Sequence, residues 1–277
     1  MQQLNQRIIN NLDVLSYSKK NKNNLFKDID LLKTQYLNSN QYFYILKGLE
    51  SDKHYVSKVK LLANSFGNIV LQNKKKQKFV HVTPNIPSIS SLNKSEKSQY
   101  LRYHETNAGG DLHSDGPQLN TPPKYVFLAC IKNSTHGGDN IIVNCKKIFS
   151  VLKRKNREVF DVLNNRYFIE RRGFSYSNLN VFSKPIFSLD NEVFRFRYLR
   201  TYIEAAYKIK NIKMPESKRN ALDILDSYLN NKKYQDQFKL NPGEILIINN
   251  NLLAHGRTSF SINNNKGQRD YLRVWIK

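Results

Sequence analysis

Two histidines and one aspartate in this sequence have the types and the spacing needed to share a metal ion. His113 and Asp115 lie two residues apart in the segment LHSDG, and His255 follows an apolar run at residues 245–248. In an extended segment, residues i and i+2 project from the same face, so one ion can contact both side chains. Two ligands are too few to hold an ion, and His255 is the candidate for the third. We therefore predict one metal site built from these three residues.

The chemistry of these donors favours Fe(II). Imidazole nitrogen suits iron, and one carboxylate lowers the positive charge of the site. Two imidazoles and one carboxylate on one side of an ion leave its other positions open, as iron that reacts with dioxygen requires. Each motif also has a simpler explanation, because a His-x-Asp in a loop often forms a turn and a histidine at a strand end is often a hydrogen-bonded core residue. Their combination favours the metal site.

Two kinds of apolar pattern occur along the chain. Apolar residues at three-and-four spacing predict amphipathic helices, whereas short runs rich in β-branched and aromatic residues predict strands. We predict helices at residues 4–15, 25–37, 52–67, 146–165 and 215–231, and strands at residues 42–49, 78–82, 125–131, 140–144, 167–172, 193–198, 245–248 and 271–276.

These elements predict an α+β fold. Many short strands without regular strand-helix alternation argue against a doubly wound parallel sheet. The expected core is a double-stranded β-helix, or jelly roll, with flanking α-helices packed outside it. A chain of 277 residues can form one large domain, and the sequence has no convincing internal boundary. We therefore predict a single domain over residues 1–277, with a helical N-terminal flank at residues 1–40.

The composition is typical of a folded protein. Hydrophobic residues make up 39% and aromatic residues 12% of the chain, which is too much packing material for a disordered protein. No apolar run approaches the roughly 18 to 20 residues that cross a bilayer, and the polar start lacks the apolar stretch of a signal peptide. A soluble, cytoplasmic protein is therefore expected. The cysteines Cys130 and Cys145 lack metal-binding spacing and are predicted to be buried free thiols.

The net charge of +23 at pH 7 raises the question of a polyanionic partner such as nucleic acid. Lysine and asparagine are abundant along the entire chain, however, which indicates a general compositional bias. The sequence contains no recognition-helix, zinc-finger or aromatic nucleic-acid motif. Nucleic-acid or polyanion binding is therefore the second hypothesis, and it would take the form of a basic jelly-roll protein with a vestigial metal site.

The order of the motifs resembles that of the taurine dioxygenase and clavaminate synthase-like family of Fe(II)/2-oxoglutarate-dependent oxygenases. From Gln41 to the C-terminus, the landmarks of the family occur in family order. Two patterns are specific: the His-x-Asp followed by an apolar strand and Gly-Gly-Asp, and the glycine-acidic-apolar run that leads to a distal His-Gly-Arg. The segments that carry the resemblance are YFYILKGL, LHSDGPQLNTPPKYVFLACIKNSTHGGDNIIVN, PGEILIINNNLLAHGRTSF and GQRDYLRVWI.

The resemblance implies a role for each matching residue. It makes His113, Asp115 and His255 the iron ligands and Arg269 the partner of the C5 carboxylate of 2-oxoglutarate. A guanidinium suits that role because it is permanently charged and donates two parallel hydrogen bonds. Arg273, four residues further on, would lie near the co-substrate or an anionic group of the substrate. The three ligands and the arginine anchor are all present, which favours an enzyme over a vestigial site.

Two positions depart from the family pattern. Asn140 follows Gly-Gly-Asp where several relatives have a hydroxyl residue, although its amide could still donate a hydrogen bond to 2-oxoglutarate. Asn249 stands where relatives commonly have aspartate, which puts one contact around the ligands in doubt but no ligand. Arg257, directly after His-Gly, is expected to be either a shell residue of the site or a solvated surface cation.

The resemblance also implies the reaction. The expected enzyme is a 2-oxoglutarate-dependent dioxygenase that uses Fe(II) and O2 to hydroxylate an unactivated C–H bond, with succinate and CO2 as co-products. Halogenating relatives lack the carboxylate ligand, so Asp115 favours hydroxylation, with desaturation, epimerisation and ring closure as minor alternatives. The expected substrate is a small, polar or anionic metabolite. Candidates to contact it are Tyr103, Asn107, Arg197 and Arg200.

Overall fold

The computed structural model describes residues 2–17, 22–73, 75–84, 109–173, 180–190, 192–261 and 269–277. Within these ranges helices and strands are both present, in agreement with the predicted mixed class, and no helix is long and apolar enough to cross a membrane. The helices are α1 (Gln2–Tyr17), α2 (Lys22–Leu32), α3 (Tyr55–Phe66), α4 (Cys145–Lys155), α5 (Arg157–Asn164), α6 (Arg200–Ile209) and α7 (Glu216–Asn230). The strands are β1 (Phe43–Leu46), β2 (Phe79–Val82), β3 (Tyr125–Lys132), β4 (Asn140–Asn144), β5 (Arg166–Glu170), β6 (Val181–Pro185), β7 (Phe187–Asp190), β8 (Val193–Phe196), β9 (Gln235–Phe238), β10 (Ile245–Asn249), β11 (Leu253–Arg257) and β12 (Asp270–Ile276).

Two antiparallel sheets form most of the strand-rich part of the chain. The larger has five strands in the order β1-β10-β3-β12-β2, and the smaller has three strands in the order β11-β4-β9. Strands that are neighbours in these sheets, such as β3 and β10, lie far apart in the sequence, so long-range pairing assembles both sheets. The hairpins β5-β6 and β7-β8 form two further small sheets.

Strand β12 illustrates how the larger sheet separates two layers. Successive side chains of a strand point to opposite faces. Leu272 and Val274 pack in a cluster with residues of helices α1, α2 and α3. Tyr271 and Trp275 pack in a different cluster that includes Ile142 of the smaller sheet. The larger sheet is therefore buried on both faces, and one face looks toward the smaller sheet.

Helices α1 to α3 cover the outer face of the larger sheet. Buried side chains repeat at three-and-four spacing, as at Leu25, Ile29 and Leu32 of α2, and pack against that face. An ion pair between Arg7 of α1 and Asp28 of α2 joins the first two helices. The predicted N-terminal helices are thus present, and a short π-helical turn at Lys33–Leu37 extends α2.

Helices α4 to α7 pack with the hairpins and the outer face of the smaller sheet. The prediction of one helix at residues 146–165 is wrong, because the chain forms α4 and α5 with a break at Asn156. This residue has a φ of −149°, and its side chain accepts a hydrogen bond from the N–H of Val159, so it caps α5. The predictions also miss α6, β6, β7, β9 and β11; strand β9, QDQF, contains one apolar residue and so has no alternating pattern.

The segment at His113–Asp115 is not a regular strand. His113 forms an isolated antiparallel bridge with His255, and Asp115 lies in a bend. Gly116 follows with a φ of +67°, and a Cβ at that position would lie 2.7 Å from the ring of Pro123. Because this conformation and this close contact require glycine, the chain turns directly after Asp115.

Candidate metal centre and active site

Backbone pairing brings the two candidate histidines together. The N–H of His113 donates to the carbonyl of His255 at 3.0 Å, and the N–H of His255 donates to the carbonyl of His113 at 2.8 Å. His255 lies on β11 opposite Ile142 of β4, which sets its position in the smaller sheet. The centroids of the two imidazole rings are 4.7 Å apart. One bridge therefore joins two side chains that are distant in the sequence.

Asp115 completes a cluster with these histidines. Candidate ligand atoms of the three residues all lie within 4.8 Å of one another, and all three residues are buried. The carboxylate Oδ1 lies 3.9 Å from Nε2 of His113, and Oδ2 lies 3.6 Å from Nε2 of His255. Two imidazole nitrogens and one carboxylate oxygen at this spacing fit Fe(II), with positions left open for other ligands.

Burial and charge keep His113 and Asp115 in the protonation states that a metal requires. Burial and the nearby His255 lower the pKa of His113 to about 4, so its imidazole is neutral at physiological pH. Burial alone would raise the pKa of the Asp115 carboxyl, but Arg273 and the two histidines outweigh burial and hold this pKa below its ordinary range. Nδ1 of His113 lies 2.8 Å from the carbonyl of Asp111. A proton on Nδ1 leaves the ring's lone pair on Nε2, the atom nearer to Asp115.

Two residues of β12 hold the Asp115 carboxylate. Nη1 of Arg273 donates to Oδ1 at 3.1 Å, and Nε1 of Trp275 donates to Oδ2 at 2.9 Å. The buried side chain of Gln72 accepts a hydrogen bond from Nε of Arg273 at 2.8 Å. Sequence patterns do not identify Trp275 or Gln72. The one available signal is that Trp275 lies two residues after Arg273, and so on the same face of a predicted strand.

Asn250 fixes the backbone of Asp115. Its Oδ1 accepts from the N–H of Asp115 at 2.8 Å, and its Nδ2 donates to the carbonyl of Asp115 at 2.9 Å. Asn249, the position that departs from the family pattern, instead donates to the carbonyl of Leu37 at 3.1 Å. The side chain that clamps the candidate ligand is therefore the second asparagine of the run, and nothing in the sequence distinguishes it from its neighbours.

Arg269 is a buried cation directly before β12. The residue is 5% exposed, and its Nε has no hydrogen-bond partner in the described part of the chain. The guanidinium carbon lies 3.7 Å from the ring centroid of Tyr271. No carboxylate within the described ranges forms an ion pair with it. A buried charge without an opposite charge is costly, so this guanidinium fits an anionic ligand.

Asn140 and Arg257 are partners across the smaller sheet. Both are buried, and Nδ2 of Asn140 has no hydrogen-bond partner among the residues that the structure describes. The guanidinium of Arg257 lies 4.7 Å from the ring centroid of Phe260, and that of Arg269 lies 5.9 Å from the same ring. Arg257 is therefore an interior residue and not a solvated surface cation.

The four candidate substrate contacts differ in their surroundings. Arg197 is buried and donates three hydrogen bonds, of 2.8 to 3.2 Å, to backbone carbonyls in residues 117–120. It thereby holds the loop that follows the His-x-Asp motif. Arg200 forms ion pairs of 2.7 to 3.1 Å with three carboxylates of α6 and α7. Tyr103 and Asn107 lie outside the described residues.

Solved structures of two oxygenases share this fold. Asparagine oxygenase, solved in complex with Fe(II), 2S,3S-3-hydroxyasparagine and succinate, matches 100% of this chain and 92% of its own, with a TM-score of 0.69 and 15% identity. The non-haem iron oxygenase OrfP, solved in complex with Fe and alpha-ketoglutaric acid, matches 100% of this chain and 92% of its own, with a TM-score of 0.67 and 13% identity. At such low identities the likeness establishes the fold alone.

Sequence comparison finds relatives that are named as dioxygenases. The chain is 30% identical to gamma-butyrobetaine dioxygenase of Homo sapiens over 153 residues, which are 54% of this chain and 39% of that protein. It is 28% identical to uridine-5'-phosphate dioxygenase of Amycolatopsis sp over 158 residues, which are 56% of each protein. The chain thus matches only part of the length of these relatives. Residues 32–275 match the family described as taurine catabolism dioxygenase TauD, TfdA family, and because this match covers most of the chain, the chain belongs to the TauD/TfdA family.

Proposed function

We propose that this protein is an Fe(II)- and 2-oxoglutarate-dependent dioxygenase that hydroxylates an unactivated C–H bond of a small molecule. The observation that carries the proposal is the buried cluster of His113, Asp115 and His255, whose candidate ligand atoms lie within 4.8 Å of one another. Arg269 lies directly before β12, the strand whose side chains donate hydrogen bonds to the Asp115 carboxylate. It is a buried cation without a carboxylate partner in the described ranges. A metal site with open positions and a buried cation together fit a metal-bound dicarboxylate.

For the scaffold, the proposal is a double-stranded β-helix within a single domain over residues 1–277. Two features support it. One face of β12 packs in a common cluster with residues of the smaller sheet, and the bridge between His113 and His255 joins the His-x-Asp segment to that sheet. Closing two sheets on each other in this way leaves an interior in which side chains from both can meet.

The chain's own residues bind and orient the metal. His113 and His255 each supply one imidazole nitrogen, and Asp115 supplies one carboxylate oxygen. Arg273 and Trp275 keep that carboxylate ionised and oriented through their hydrogen bonds of 3.1 and 2.9 Å. When bound, Fe(II) with 2-oxoglutarate and O2 supplies the oxidising power for hydroxylation, and succinate and CO2 are released. Burial of the donor residues excludes water from their surroundings.

Arg269 is the proposed anchor of the C5 carboxylate of 2-oxoglutarate. Its planar guanidinium can donate two parallel hydrogen bonds to a carboxylate. Asn140, whose buried Nδ2 has no partner among the described residues, is proposed as a further donor to the co-substrate. Arg273 already donates to Asp115, which supports a place near the metal-bound end of the co-substrate rather than at its C5 end.

The proposed substrate is a small metabolite with polar or anionic groups. The names of the relatives, which include asparagine oxygenase, gamma-butyrobetaine dioxygenase and uridine-5'-phosphate dioxygenase, support a small substrate with several polar groups. Arg197 donates to buried backbone carbonyls and Arg200 pairs with carboxylates of the protein, which supports a structural role for both. Tyr103 and Asn107 stay predicted substrate contacts.

Succinate release tests the proposed reaction. The Fe(II)-loaded protein would be incubated with 2-oxoglutarate and a panel of amino acids, quaternary amines, nucleotides, sulfonates and phosphonates. We expect one chemical class to raise succinate formation above the background without substrate, with a product heavier by one oxygen atom in the mass spectrum. No succinate above the iron-free control with any member of the panel, and no 2-oxoglutarate binding, would contradict the proposal.

Iron titration tests the ligand set independently of turnover. His255→Ala should bind Fe(II) at least about 100-fold more weakly, since even the loss of an outer-shell partner costs about 10- to 100-fold in metal affinity. His136→Ala is the matched control, because His136 is exposed, and its iron affinity should equal that of the wild type. Wild-type affinity in His255→Ala would remove His255 from the site.

A further inference from the structure

We propose that Tyr271 is a positioning residue, whose aromatic face holds the Arg269 guanidinium ready to receive the C5 carboxylate of 2-oxoglutarate. The inference rests on the proposed function. It starts from a contact that the sequence motifs do not indicate, in which the guanidinium carbon of Arg269 lies 3.7 Å from the ring centroid of Tyr271. Tyr271 is fully buried, so its ring is a fixed platform.

An aromatic ring can stabilise the buried Arg269 cation without occupying its hydrogen-bond donors, which a carboxylate partner would do. A buried carboxylate would neutralise Arg269 and occupy the N–H groups that a dicarboxylate ligand needs. The face of an aromatic ring attracts a cation through its quadrupole and leaves the in-plane N–H donors unused. In the described part of the chain, Nε of Arg269 indeed has no hydrogen-bond partner. The stack therefore stabilises the buried cation and leaves its donors available to a ligand.

The backbone has a local irregularity beside the stack. Where β12 pairs with β3, Asp270 lies opposite Lys132, but Tyr271 lies opposite Cys130, so one residue of β3 is left over. Such a β-bulge increases the local twist of the pair. The irregularity lies between Asp270 and Tyr271, directly after Arg269.

The Gly-Gly-Asp motif lies beside Arg269. Gly138 has a φ of +74°, and a Cβ there would lie 2.4 Å from Oγ of Ser134, so this position requires glycine. The same Cβ would lie 3.5 Å from Cδ and Nε of Arg269, an ordinary contact distance, so the backbone of Gly138 packs against the arginine side chain. On another side, the ring centroid of Phe260 lies 5.9 Å from the same guanidinium. The anchor is thus held between an aromatic platform, a second ring and a glycine backbone.

The test compares two 2-oxo acids that differ only at the far end. Calorimetry on the anaerobic Fe(II)-loaded protein would measure the affinities for 2-oxoglutarate and for 2-oxopentanoate, which has a methyl group in place of the C5 carboxylate. The ratio of the two affinities measures only the contribution of the C5 carboxylate to binding. Tyr271→Leu removes the platform and should reduce the ratio about tenfold, within the range known for cation–π contacts. Tyr271→Phe keeps the aromatic face and should keep the wild-type ratio.

Three further variants separate positioning from general damage. Tyr167→Leu removes another fully buried tyrosine, in strand β5 and a different core cluster, and should leave the ratio unchanged. Tyr271→Met fills the core with a flexible side chain and replaces Tyr271→Leu if that variant does not fold. Arg269→Ala should abolish the preference for 2-oxoglutarate.

The outcomes distinguish this inference from the proposed function. A wild-type ratio in both Tyr271→Leu and Tyr271→Met, or equal loss of affinity for the two acids, would overturn the positioning role alone. The same loss in Tyr271→Phe as in Tyr271→Leu would overturn it as well, because it would assign the effect to the hydroxyl. A full preference for 2-oxoglutarate in Arg269→Ala, or no binding by the wild type, would instead overturn the proposed anchor and function.

Discussion

At the residue scale, the Asp115 carboxylate is held by one charged and one neutral donor. Arg273 lowers the pKa of the carboxyl, because a nearby cation favours the ionised form. Trp275 contributes a single N–H at 2.9 Å and no charge, so it mainly fixes orientation. The two donors act on different oxygens of the same group, and substitutions at the two positions should therefore have different effects.

Trp275→Phe should weaken Fe(II) binding by about 10- to 100-fold, the range found when an outer-shell partner of a metal ligand is lost. The phenyl ring still fills most of the space in the core, so the fold should be retained. Anaerobic iron titration measures the affinity, and thermal unfolding of the iron-free protein serves as the control. Iron affinity equal to that of the wild type would mean that the indole hydrogen bond does not orient the ligand.

Arg269→Ala should weaken 2-oxoglutarate binding by about 2–5 kcal/mol, because it leaves a buried carboxylate without its paired cation. Arg257→Ala should have a much smaller effect, although Arg257 is also buried, because its Nη1 donates to the carbonyl of Thr258 at 3.4 Å and it is not the proposed anchor. Calorimetric titration of both variants gives the comparison. The reverse order of effects would assign the anchor to Arg257.

At the element scale, strand β12 connects the site with the N-terminal helices. Tyr271, Arg273 and Trp275 lie on one face and reach the candidate site, while Leu272 and Val274 on the other face pack with the helical cluster. Because side chains alternate, a slip of one residue in register would exchange the two sets. The pairing of β12 with both β2 and β3 therefore positions the side chains around Asp115 as well as stabilising the sheet.

The helices on the smaller sheet reach the His-x-Asp segment through Tyr198. The N–H of Ser114 donates to the carbonyl of Tyr198 at 2.9 Å, and Oγ of Ser114 accepts from the N–H of Tyr198 at 3.0 Å. The hydroxyl of Tyr198 donates to Asp226 of α7 at 2.5 Å, and Asp226 is also paired with Arg200 of α6 at 3.1 Å. This chain of contacts connects helix packing with the residue between two candidate ligands.

Arg200→Ala should lower the free energy of unfolding by about 1–2 kcal/mol, since each of its three partly exposed ion pairs contributes about 0.2–1 kcal/mol. Arg157→Ala removes one exposed pair with Asp161 and should cost less than about 0.5 kcal/mol. Denaturant unfolding of both variants measures the difference. If Arg200→Ala instead raised the KM of the substrate without loss of stability, Arg200 would be a substrate contact, as the sequence analysis predicts.

At the scale of the whole molecule, the exposed charges that contribute to the net charge of +23 and the buried cations of the site should respond differently to salt. Arg269 and Arg273 are buried, and buried charges are poorly screened by salt. Exposed charges are largely screened beyond about 8 Å at physiological ionic strength. An enzyme acting on a small substrate and a polyanion-binding protein should therefore differ in their response to salt.

Turnover of 2-oxoglutarate with its proper substrate should change only modestly between low and physiological salt. Any nucleic-acid binding should be weak and sequence-independent, and its affinity should fall with a log-log slope of about 0.9 per phosphate contact. Succinate assays and DNA or RNA titrations over the same salt series make the comparison. Tight, sequence-selective binding by the iron-free protein, with no succinate from any small molecule, would support the polyanion-binding hypothesis instead.

The sequence by itself determined the family and most of the secondary structure. The family resemblance predicted from the His-x-Asp, Gly-Gly-Asp and His-Gly-Arg motifs is confirmed by the TauD/TfdA family match over residues 32–275. Helices and strands with regular apolar spacing could be predicted because burial of one face imposes that spacing on the sequence. The residues predicted as ligands, His113, Asp115 and His255, are also those that the structure brings within 4.8 Å of one another.

Only the tertiary structure decided which side chains meet across the two sheets. Asn250 and Trp275 are ordinary residues in the sequence, and their contacts with Asp115 depend on strand register and long-range pairing. The same holds for β9, whose segment QDQF has no clear pattern of its own. Helix α6, in contrast, buries Ile203, Ala206 and Tyr207 at three-and-four spacing, a pattern that is present in the sequence. A local pattern records which face of an element is buried, whereas a contact between distant residues requires the positions of both backbones, and those are set by the packing of the whole chain.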